Sequence, residues 1–393
     1  MIERVTHQSW FSRIKSAVFG IFFGLLFVVG AIVLQFWNEG RTLHQRQLLE
    51  AGKAEVVSVN PASPPAGAAL LAHVSGEAHA EGMRLDPVFN QPAEGIALRR
   101  KVEMYQWKER KESREETKLG GGKVTRTTYH YDQVWDDDLI DSNRFEERAG
   151  HENPGRFPFD NETWRAERVR ISAVELAPET VAEIGGWKPM APELDRLPAN
   201  LAASFGQDGE WLTTSSGEPR VGDVRITFSR IPDGTVSAVG RLNGTTLGVD
   251  RREQGELLLV ERGSHTADQM FDDALSRNTG IGWALRFAGF VVSWIGFGLV
   301  FAPIAVFADV LPIAGRFTRA VNGLVSGVLA AFLSFFAIAS GWLYHRPWAL
   351  GLILIGIAGL IIFFVRRKPA GQSASPMPPP PPAAPPPPPP PAA

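Results

Sequence analysis

Four long apolar runs constrain the fold of this chain more than any other feature. They cover residues 17–37, 284–308, 321–343 and 348–365, and their central portions contain no Asp, Glu, Lys or Arg. Each run is close to the ~20 residues that an α-helix needs to cross the hydrocarbon core of a bilayer. The sequence therefore predicts a multi-pass membrane protein with four transmembrane α-helices.

The first run has two interpretations, because a secretory signal peptide also combines basic residues with an apolar segment. A signal peptide has an apolar core of roughly 7–15 residues and a cleavage site made of small residues. Here the apolar stretch is longer, and it ends in Gln-Phe-Trp-Asn-Glu (residues 35–39). These features favour an uncleaved membrane anchor.

Basic residues in short loops predict the orientation, because such loops tend to stay in the cytoplasm. An even number of spans puts three basic groups on one side of the membrane: Arg4, Arg13 and Lys15; Arg316 and Arg319; Arg366, Arg367 and Lys368. We therefore predict that both termini are cytoplasmic. The long segment 38–283 is then extracytoplasmic.

The predicted organisation follows from these runs and their flanks. In chain order it comprises a cytoplasmic N-terminus (1–16), transmembrane helix 1 (17–37), an extracytoplasmic α+β domain (38–283), transmembrane helix 2 (284–308), a cytoplasmic loop (309–320), transmembrane helix 3 (321–343), a short extracytoplasmic turn (344–347), transmembrane helix 4 (348–365) and a disordered Pro/Ala-rich cytoplasmic tail (366–393). The tail cannot form a packed core. A spacer is the favoured interpretation of it, with a docking tether as the alternative.

The extracytoplasmic segment has more strand signals than helix signals. "AHVSGEAHA" (72–80), "VGDVRITFSRI" (221–231) and "DGTVSAVGRL" (233–242) are typical of strands, the second with clean alternation of apolar and polar residues. Thr266 and Gln269 form a capping-box pattern, which predicts a short helix before the second span. The domain is therefore predicted to be strand-rich, and two small β subdomains are one arrangement of it.

A charged, aromatic stretch, "LRRKVEMYQWKERKES" (98–113), is followed by "KLGGGK" and by "VTRTTYHYDQVW" (124–135). Two polar strands around three glycines predict a long β-hairpin. We expect Met104 to be buried, and Tyr105 and Trp107 to pack across the hairpin on the aromatic residues Tyr129, Tyr131 and Trp135. A register-holding role for these aromatics is the favoured interpretation, and a platform for a partner or a lipid surface is the alternative.

Composition limits the chemistry. There is no Cys, which excludes disulfides and thiolate chemistry, and the net charge of −2 gives no sign of a nucleic-acid partner. No cofactor or metal motif is found, and Arg286 and Asp309 lie at span ends, where snorkelling explains them. The abundance of Ala, and of Arg over Lys, is typical of bacterial proteins. The sequence predicts a non-catalytic protein in a bacterial inner membrane, with domain 38–283 in the periplasm or outside.

Three function classes remain open at this level. The leading hypothesis is a scaffold that organises membrane protein complexes and forms homo-oligomers, since small residues in the spans permit close helix packing. One alternative is a membrane-anchored enzyme whose site gathers dispersed groups such as Asp136, Asp138 and His151. The other is an oligomeric channel. The expected partners are the lipid bilayer, further copies of the chain and unknown membrane proteins.

Several motifs resemble the transmembrane protein 43 (LUMA) family. They are "FWNEGR" (36–41), "LRRKVEMYQWKERKESREET" (98–117), "GHENP" (150–154), "VGDVRITF" (221–228), "WALRFAGF" (283–290) and "SGWLYHRPWAL" (340–350). The resemblance covers residues 17–366, and the second motif is the most specific. The candidate interaction residues taken from these motifs are Asn38, Glu39, Gly40, Arg41, Glu103, Met104, Tyr105, Gln106, Trp107, Gly341, Trp342, Arg346 and Pro347.

The resemblance implies four spans, cytoplasmic termini and a large domain on the other side of the membrane. It also implies a protein that associates with itself and organises membrane complexes, and no enzyme activity. A eukaryotic member would lie in the endoplasmic reticulum or inner nuclear membrane.

Overall fold

A computed structural model describes residues 2–65, 67, 69–310, 312–344, 348 and 355. The α-helices within these residues are α1 (Trp10–Glu55), α2 (Pro178–Glu183), α3 (Ala199–Ala202), α4 (Ala267–Ala308) and α5 (Pro312–Tyr344). The strands are β1 (Ile2–Gln8), β2 (Val57–Ser58), β3 (Ala69–Ala80), β4 (Arg84–Asp86), β5 (Gln91–Ala93), β6 (Ala97–Thr117), β7 (Lys123–Asp136), β8 (Glu162–Arg165), β9 (Val169–Ile171), β10 (Val174–Leu176), β11 (Lys188–Met190), β12 (Gly206–Asp208), β13 (Trp211–Thr213), β14 (Val224–Ile231), β15 (Gly234–Asn243), β16 (Thr246–Gly248), β17 (Asp250–Arg252), β18 (Gly255–Leu257) and β19 (Leu259–Arg262).

Three of the helices are long and apolar enough to cross a membrane, in the part of the chain that the structure describes: Trp10–Glu55, Ala267–Ala308 and Phe317–Tyr344. Helices α1 and α4 pack against each other in antiparallel directions. A Cβ atom on Gly24 would lie 2.6 Å from the carbonyl oxygen of Gly296, so the two backbones approach more closely than a larger residue allows. The fourth predicted span, the turn before it and the tail lie outside the described residues, apart from Tyr344, Trp348 and Ile355.

The predicted capping box is confirmed. The Thr266 side chain accepts a hydrogen bond from the backbone N–H of Gln269, and the Gln269 side chain accepts one from the N–H of Thr266. This cap satisfies backbone donors at the start of the helix. The helix that follows is one continuous element to Ala308, so the predicted short helix leads directly into the second span.

The strand-rich domain contains a small closed β-structure. Strand β15 pairs with β3, β16 and β19, and pairings of β16 with β10, β10 with β9 and β9 with β3 close a ring. A closed ring leaves no open edge between its strands. Its interior is filled by a cluster of fully buried side chains that includes Val74, Ile171, Val174, Val236 and Leu247.

The second sheet carries the hairpin. Its strands follow the order β1-β7-β6-β14-β13-β12, with β8 also on β6 and β11 on β14. The alternation predicted for β14 is confirmed, since Val224, Ile226 and Phe228 are buried. They pack with Met104 and Phe89 in a second core. The described part of the strand-rich domain thus has two large sheets, each with its own core, and two small two-stranded sheets, β4-β5 and β17-β18.

The domain is joined firmly to the helices. Leu48 and Leu49 near the end of α1, and Met270 and Phe271 near the start of α4, are buried in one cluster with Val239 of β15. Helix α1 therefore continues as a helix well beyond its apolar run and ends inside the domain. It ends at Glu55, directly before the short strand β2 (Val57–Ser58).

The pairing of β1 corrects the sequence-based organisation. Residues 2–8 run antiparallel to residues 123–129, and the N–H of Gly120 in the hairpin turn lies 3.3 Å from the carbonyl oxygen of Val310. The sequence predicts that residues 1–16 and all of 38–283 lie on opposite sides of the membrane. Residues 2–8 and 123–129 cannot form paired strands if a bilayer separates them. The predicted placement of these two segments on opposite sides is therefore incompatible with the β1–β7 pairing.

Candidate functional site

Polar side chains line the contact between α1 and its neighbouring helices just where the first apolar run ends. We call Gln35, Asn38, Glu39, Thr42, Asn278, Arg286 and Ser334 the helix polar cluster. Asn38 donates to the carbonyl oxygen of Gly282 (3.0 Å), and Asn278 donates to that of Thr42 (2.9 Å). The amide of Gln35 lies 2.9 Å from the hydroxyl of Ser334 on α5. The cluster thus ties three helices together.

The ion pair between Glu39 and Arg286 is the centre of this cluster. Two hydrogen bonds, of 2.7 and 2.9 Å, join the carboxylate to the guanidinium, and the Glu39 side chain is 6% exposed. Gly341 permits the arrangement, because a Cβ atom there would lie 3.0 Å from the Glu39 side chain. The motifs at 36–41, 283–290 and 340–350 therefore meet in space. The snorkelling expected for Arg286 is wrong, since its charge is paired.

A second buried charge lies at the opposite end of the same helices. The Asp309 carboxylate is 1% exposed and is held between the guanidinium groups of Arg13 and Arg319. The carbonyl oxygen of Gly121, in the hairpin turn, also accepts from Arg13. The snorkelling expected for Asp309 is therefore wrong as well, and its charge is neutralised inside the protein.

Residues of the 98–117 motif form the end of the hairpin that joins the strand-rich domain. Met104 is 1% exposed, which confirms its predicted burial. Gln106 is fully buried, and its amide donates to the carbonyl oxygen of Asp138 and accepts from the N–H of Ile140, both at 2.9 Å. The Gln106 side chain therefore fastens the loop after β7 to the hairpin.

Trp107 has a different partner from the one expected. Tyr105 contacts Trp135 across the hairpin as predicted, with ring centroids 5.2 Å apart. The ring that contacts Trp107, however, is His151, edge-on at 4.8 Å, and Tyr131 stacks on the same imidazole at 3.9 Å. Two aromatic side chains of the hairpin thus contact an imidazole from the "GHENP" motif, which lies outside the hairpin.

Asn153 of the same motif completes the edge of β6 beside Trp107. Its side-chain oxygen accepts from the Trp107 N–H (2.7 Å), and its amide donates to the Trp107 carbonyl (2.8 Å). A neighbouring strand would bond the same N–H and carbonyl of Trp107, so the Asn153 side chain takes the place of a strand at this position. The motifs at 98–117 and 150–154 therefore form one interlocked unit.

Glu103 belongs to a charged and aromatic surface on the sheet. It pairs with Arg225 of β14, whose guanidinium lies 4.8 Å from the Trp135 ring and 5.0 Å from the Trp211 ring. A cation between two indoles is stabilised by both ring faces. Arg225 was not among the predicted site residues, although its position opposite Glu103 follows once the register of β14 and β6 is known.

The residues proposed for an enzyme site have structural contacts. Asp136 binds Lys108 (2.9 Å), the backbone carbonyl of Asp138 accepts from Gln106, and His151 contacts the rings of Trp107 and Tyr131. Burial acts to raise the pKa of Asp136, but the hydrogen bonds from Lys108 and from the N–H of Asp138 outweigh it, so the pKa is lowered. Within the described ranges, no group of three or more His, Asp or Glu side chains could hold a metal ion.

The lowered pKa of Asp136 makes hairpin stability depend on pH. A carboxyl with a depressed folded pKa stabilises the fold above its unfolded pKa of ~3.9, and this contribution is lost as the pH falls through the folded value. We expect the melting temperature to fall on acidification below about pH 4, with a shallower fall in Asp136→Asn. Tryptophan fluorescence melts of the full chain in detergent measure both curves. Parallel curves for the two proteins would contradict this assignment.

The remaining candidates divide between described and undescribed residues. Gly40 is buried in α1, Arg41 is partly exposed, and Trp342 is 39% exposed on α5. Arg346 and Pro347 lie outside the described residues. Of the residues that organise the site, Arg286, Asn153 and Arg225 were not among the candidates, because their partners are far away in sequence.

The long apolar helices and the strand-rich domain joined to them define an integral membrane protein. The sequence model of the family described as Transmembrane protein 43 matches residues 104–347. This match covers more than half of the chain, which therefore belongs to the transmembrane protein 43 family.

Relatives from animals are similar along nearly the whole chain. Transmembrane protein 43 of Homo sapiens is 28% identical over 386 residues, which covers 94% of this chain and 95% of the relative. The rat protein (Rattus norvegicus) is 28% identical over 377 residues (90% and 91%), and the Drosophila melanogaster homolog is 28% identical over 364 residues (89% and 94%). No solved structure matches the chain significantly.

Proposed function

We propose that this protein is a non-catalytic membrane scaffold that associates with itself through the outer edge of the hairpin. The observation that carries the proposal is the free edge of β6 between residues 110 and 116. All seven residues there are exposed, and the structure pairs them with β7 on one side only, among the residues it describes. An exposed strand edge is a template for pairing with another chain.

The hydrogen bonds of Tyr105 and Trp107 show which backbone N–H and C=O groups of β6 point away from β7. The N–H of Tyr105 donates to Asp223, its carbonyl accepts from Gly222, and the N–H of Trp107 donates to Asn153, all on the side away from β7. Backbone groups alternate in direction along a strand. The N–H and C=O groups of Lys111, Ser113 and Glu115 therefore point outward, ready to bond another strand.

The charges along this edge are self-complementary. The segment reads Arg110-Lys111-Glu112-Ser113-Arg114-Glu115-Glu116. When a second copy pairs antiparallel with Ser113 opposite Ser113, Arg110 faces Glu116, Lys111 faces Glu115, and Glu112 faces Arg114 of the partner. Every charge thus meets its opposite, and each opposed pair contributes roughly 0.2–1 kcal/mol. In this register the residues whose backbone groups point outward lie opposite one another, because Ser113 faces Ser113 and Lys111 faces Glu115. These are the positions at which two antiparallel strands exchange backbone hydrogen bonds, so a two-fold axis at Ser113 is compatible with the pairing.

A single strand pair is a small interface, and the membrane compensates for its size. Chains confined to one bilayer meet at a high effective concentration, so weak contacts suffice for assembly. The domain then displays the charged and aromatic surface at Glu103 and Arg225 to other membrane proteins. We place the protein in a bacterial inner membrane, or in the endoplasmic reticulum or inner nuclear membrane of a eukaryotic cell. No observation favours the enzyme or the channel alternative.

Charge reversal tests the edge directly. Lys111→Glu puts two glutamates opposite each other on both sides of the two-fold axis, and we expect self-association to fall at least ~10-fold, because two attractive pairs become repulsive. Energy transfer between donor- and acceptor-labelled full chains in proteoliposomes measures the association. The double variant Lys111→Glu/Glu115→Lys restores every opposed pair and should restore the transfer.

The control is Lys188→Glu, which reverses an exposed charge on β11 and should leave energy transfer unchanged. Equal energy transfer in wild type and Lys111→Glu would contradict the proposal. Failure of the double variant to recover, while it stays folded by circular dichroism, would contradict it as well.

A further inference from the structure

Arg41 is the charged residue of the "FWNEGR" motif that lies outside the helix polar cluster. Asn38 and Glu39 face α4 and α5, whereas Arg41 lies on another face of α1. Its guanidinium donates a hydrogen bond to the hydroxyl of Thr42 (3.3 Å), and its Nε atom is buried without a hydrogen-bond partner in the described part of the chain. Among the described residues, no carboxylate forms an ion pair with Arg41. The carboxylates that precede and follow it on α1 have other partners, since Glu39 binds Arg286 and Glu50 binds Arg46.

A groove of about 620 Å³ lies beside Arg41. One end is apolar and the other polar, and its lining residues in the described part of the chain are Ile32, Val33, Phe36, Trp37, Gly40, Arg41, His44, Gln45 and Gln254. The residues of α1 recur at helical spacing, so they form one stripe along the helix. Ile32, Val33 and Trp37 are exposed on that stripe.

Along α1 the stripe changes from apolar to polar residues, as expected where a helix leaves the hydrocarbon core of a membrane. Its apolar part belongs to the first apolar run, and its polar part begins where that run ends. An exposed Trp at this level is typical of the interface between the hydrocarbon core and water. Arg41 then lies at the depth of the lipid headgroups, with the apolar residues at the depth of the acyl chains.

We propose that this groove binds one anionic phospholipid. The lipid phosphate accepts hydrogen bonds from the Arg41 guanidinium, and one acyl chain follows Trp37, Val33 and Ile32. A guanidinium presents a planar fork of donors that fits phosphate oxygens. The Nε donor, which has no hydrogen-bond partner among the described residues, would gain one. His44, Gln45 and Gln254 are the other polar groups at this end, and none of them is a carboxylate that would repel the headgroup.

Native mass spectrometry of the full chain tests this proposal, with phosphatidylglycerol or phosphatidylcholine titrated into the detergent. We expect one phosphatidylglycerol to bind in preference to phosphatidylcholine. Arg41→Gln should weaken phosphatidylglycerol binding at least ~10-fold, because a charge-assisted contact to phosphate is lost. Arg41→Lys retains the charge and should recover part of the affinity. Arg46→Gln is the matched control, since Arg46 lies on the same helix and pairs with Glu50, and it should bind like the wild type.

Each other outcome overturns the proposal. Equal binding by Arg41→Gln and Arg46→Gln, both with wild-type helix content, would show that Arg41 does not hold a lipid. Equal binding of the two lipids would show that the headgroup charge is not recognised. If millimolar inorganic phosphate displaced phosphatidylglycerol, the groove would be an anion site and not a lipid site. None of these results depends on self-association.

Discussion

The variant Glu39→Met is expected to lower the free energy of unfolding by about 3–5 kcal/mol, because it leaves Arg286 without its carboxylate. The pair is bidentate, with 6% of Glu39 and 20% of Arg286 exposed. A charge that loses its partner in such a place cannot recover its hydration. The Trp283 ring, 4.9 Å from the Arg286 guanidinium, remains as a weaker partner. Chemical denaturation of the full chain in detergent, followed by circular dichroism, measures the change.

A second substitution separates the unpaired charge from lost packing. Replacement of both partners of a buried pair by apolar residues is often neutral or stabilising. Glu39→Met/Arg286→Met should therefore recover most of the stability that Glu39→Met loses. Glu50→Ala breaks the exposed pair with Arg46 and should change stability by no more than about 0.5 kcal/mol. A double variant as unstable as Glu39→Met would show that the unpaired charge is not the cause.

The second large effect is expected at Asp86 in the strand-rich domain. Its fully buried carboxylate receives two hydrogen bonds from Arg100 (2.7 and 2.8 Å) and two from the backbone N–H groups of Val88 and Phe89. Asp86→Ala removes all four bonds and leaves the Arg100 charge, itself 3% exposed, in the core. We expect a loss of about 3–5 kcal/mol.

Thermal melts of the domain signal, followed by tryptophan fluorescence, measure the Asp86→Ala effect. Glu162 and the carbonyl oxygen of Asp160 still contact Arg100, so the charge keeps part of its surroundings. The control is Asp132→Ala, which breaks the exposed pair with Arg110 and should cost less than about 1 kcal/mol. Equal melting temperatures for the two variants would contradict the structural role of Asp86.

Local patterns in the sequence were sufficient for several elements. Alternation identified β14 and the inward side of β6, and the glycine-rich turn identified the hairpin. Thr266 and Gln269 identified the start of α4. These features depend on neighbours within a few residues, so the sequence contains all of the information they need. The family was also recognisable from motifs of this length.

Contacts between distant segments could not be predicted in the same way. Glu39 and Arg286 are separated by 247 positions, and the ring beside Trp107 comes from His151 in a loop with no periodic signal. Strand β1 is short and charged, so its pairing with β7 is determined by the hairpin and not by its own composition. The sequence does not show which backbone groups of β6 are left unpaired by β7, so the free edge of β6 could be identified only in the structure.

A cross-link at Ser113 tests most directly the central claim that two copies pair through β6. The chain has no Cys, so Ser113→Cys provides a single thiol, which should lie opposite its own copy at a distance that permits a disulfide. Under mild oxidation in membranes we expect a covalent dimer. Glu116→Cys alone should stay monomeric, because its predicted partner is Arg110, and a mixture of Arg110→Cys and Glu116→Cys chains should cross-link. If Ser113→Cys stayed monomeric, or if Glu116→Cys alone cross-linked equally well, the proposed register and the scaffold that rests on it would be contradicted.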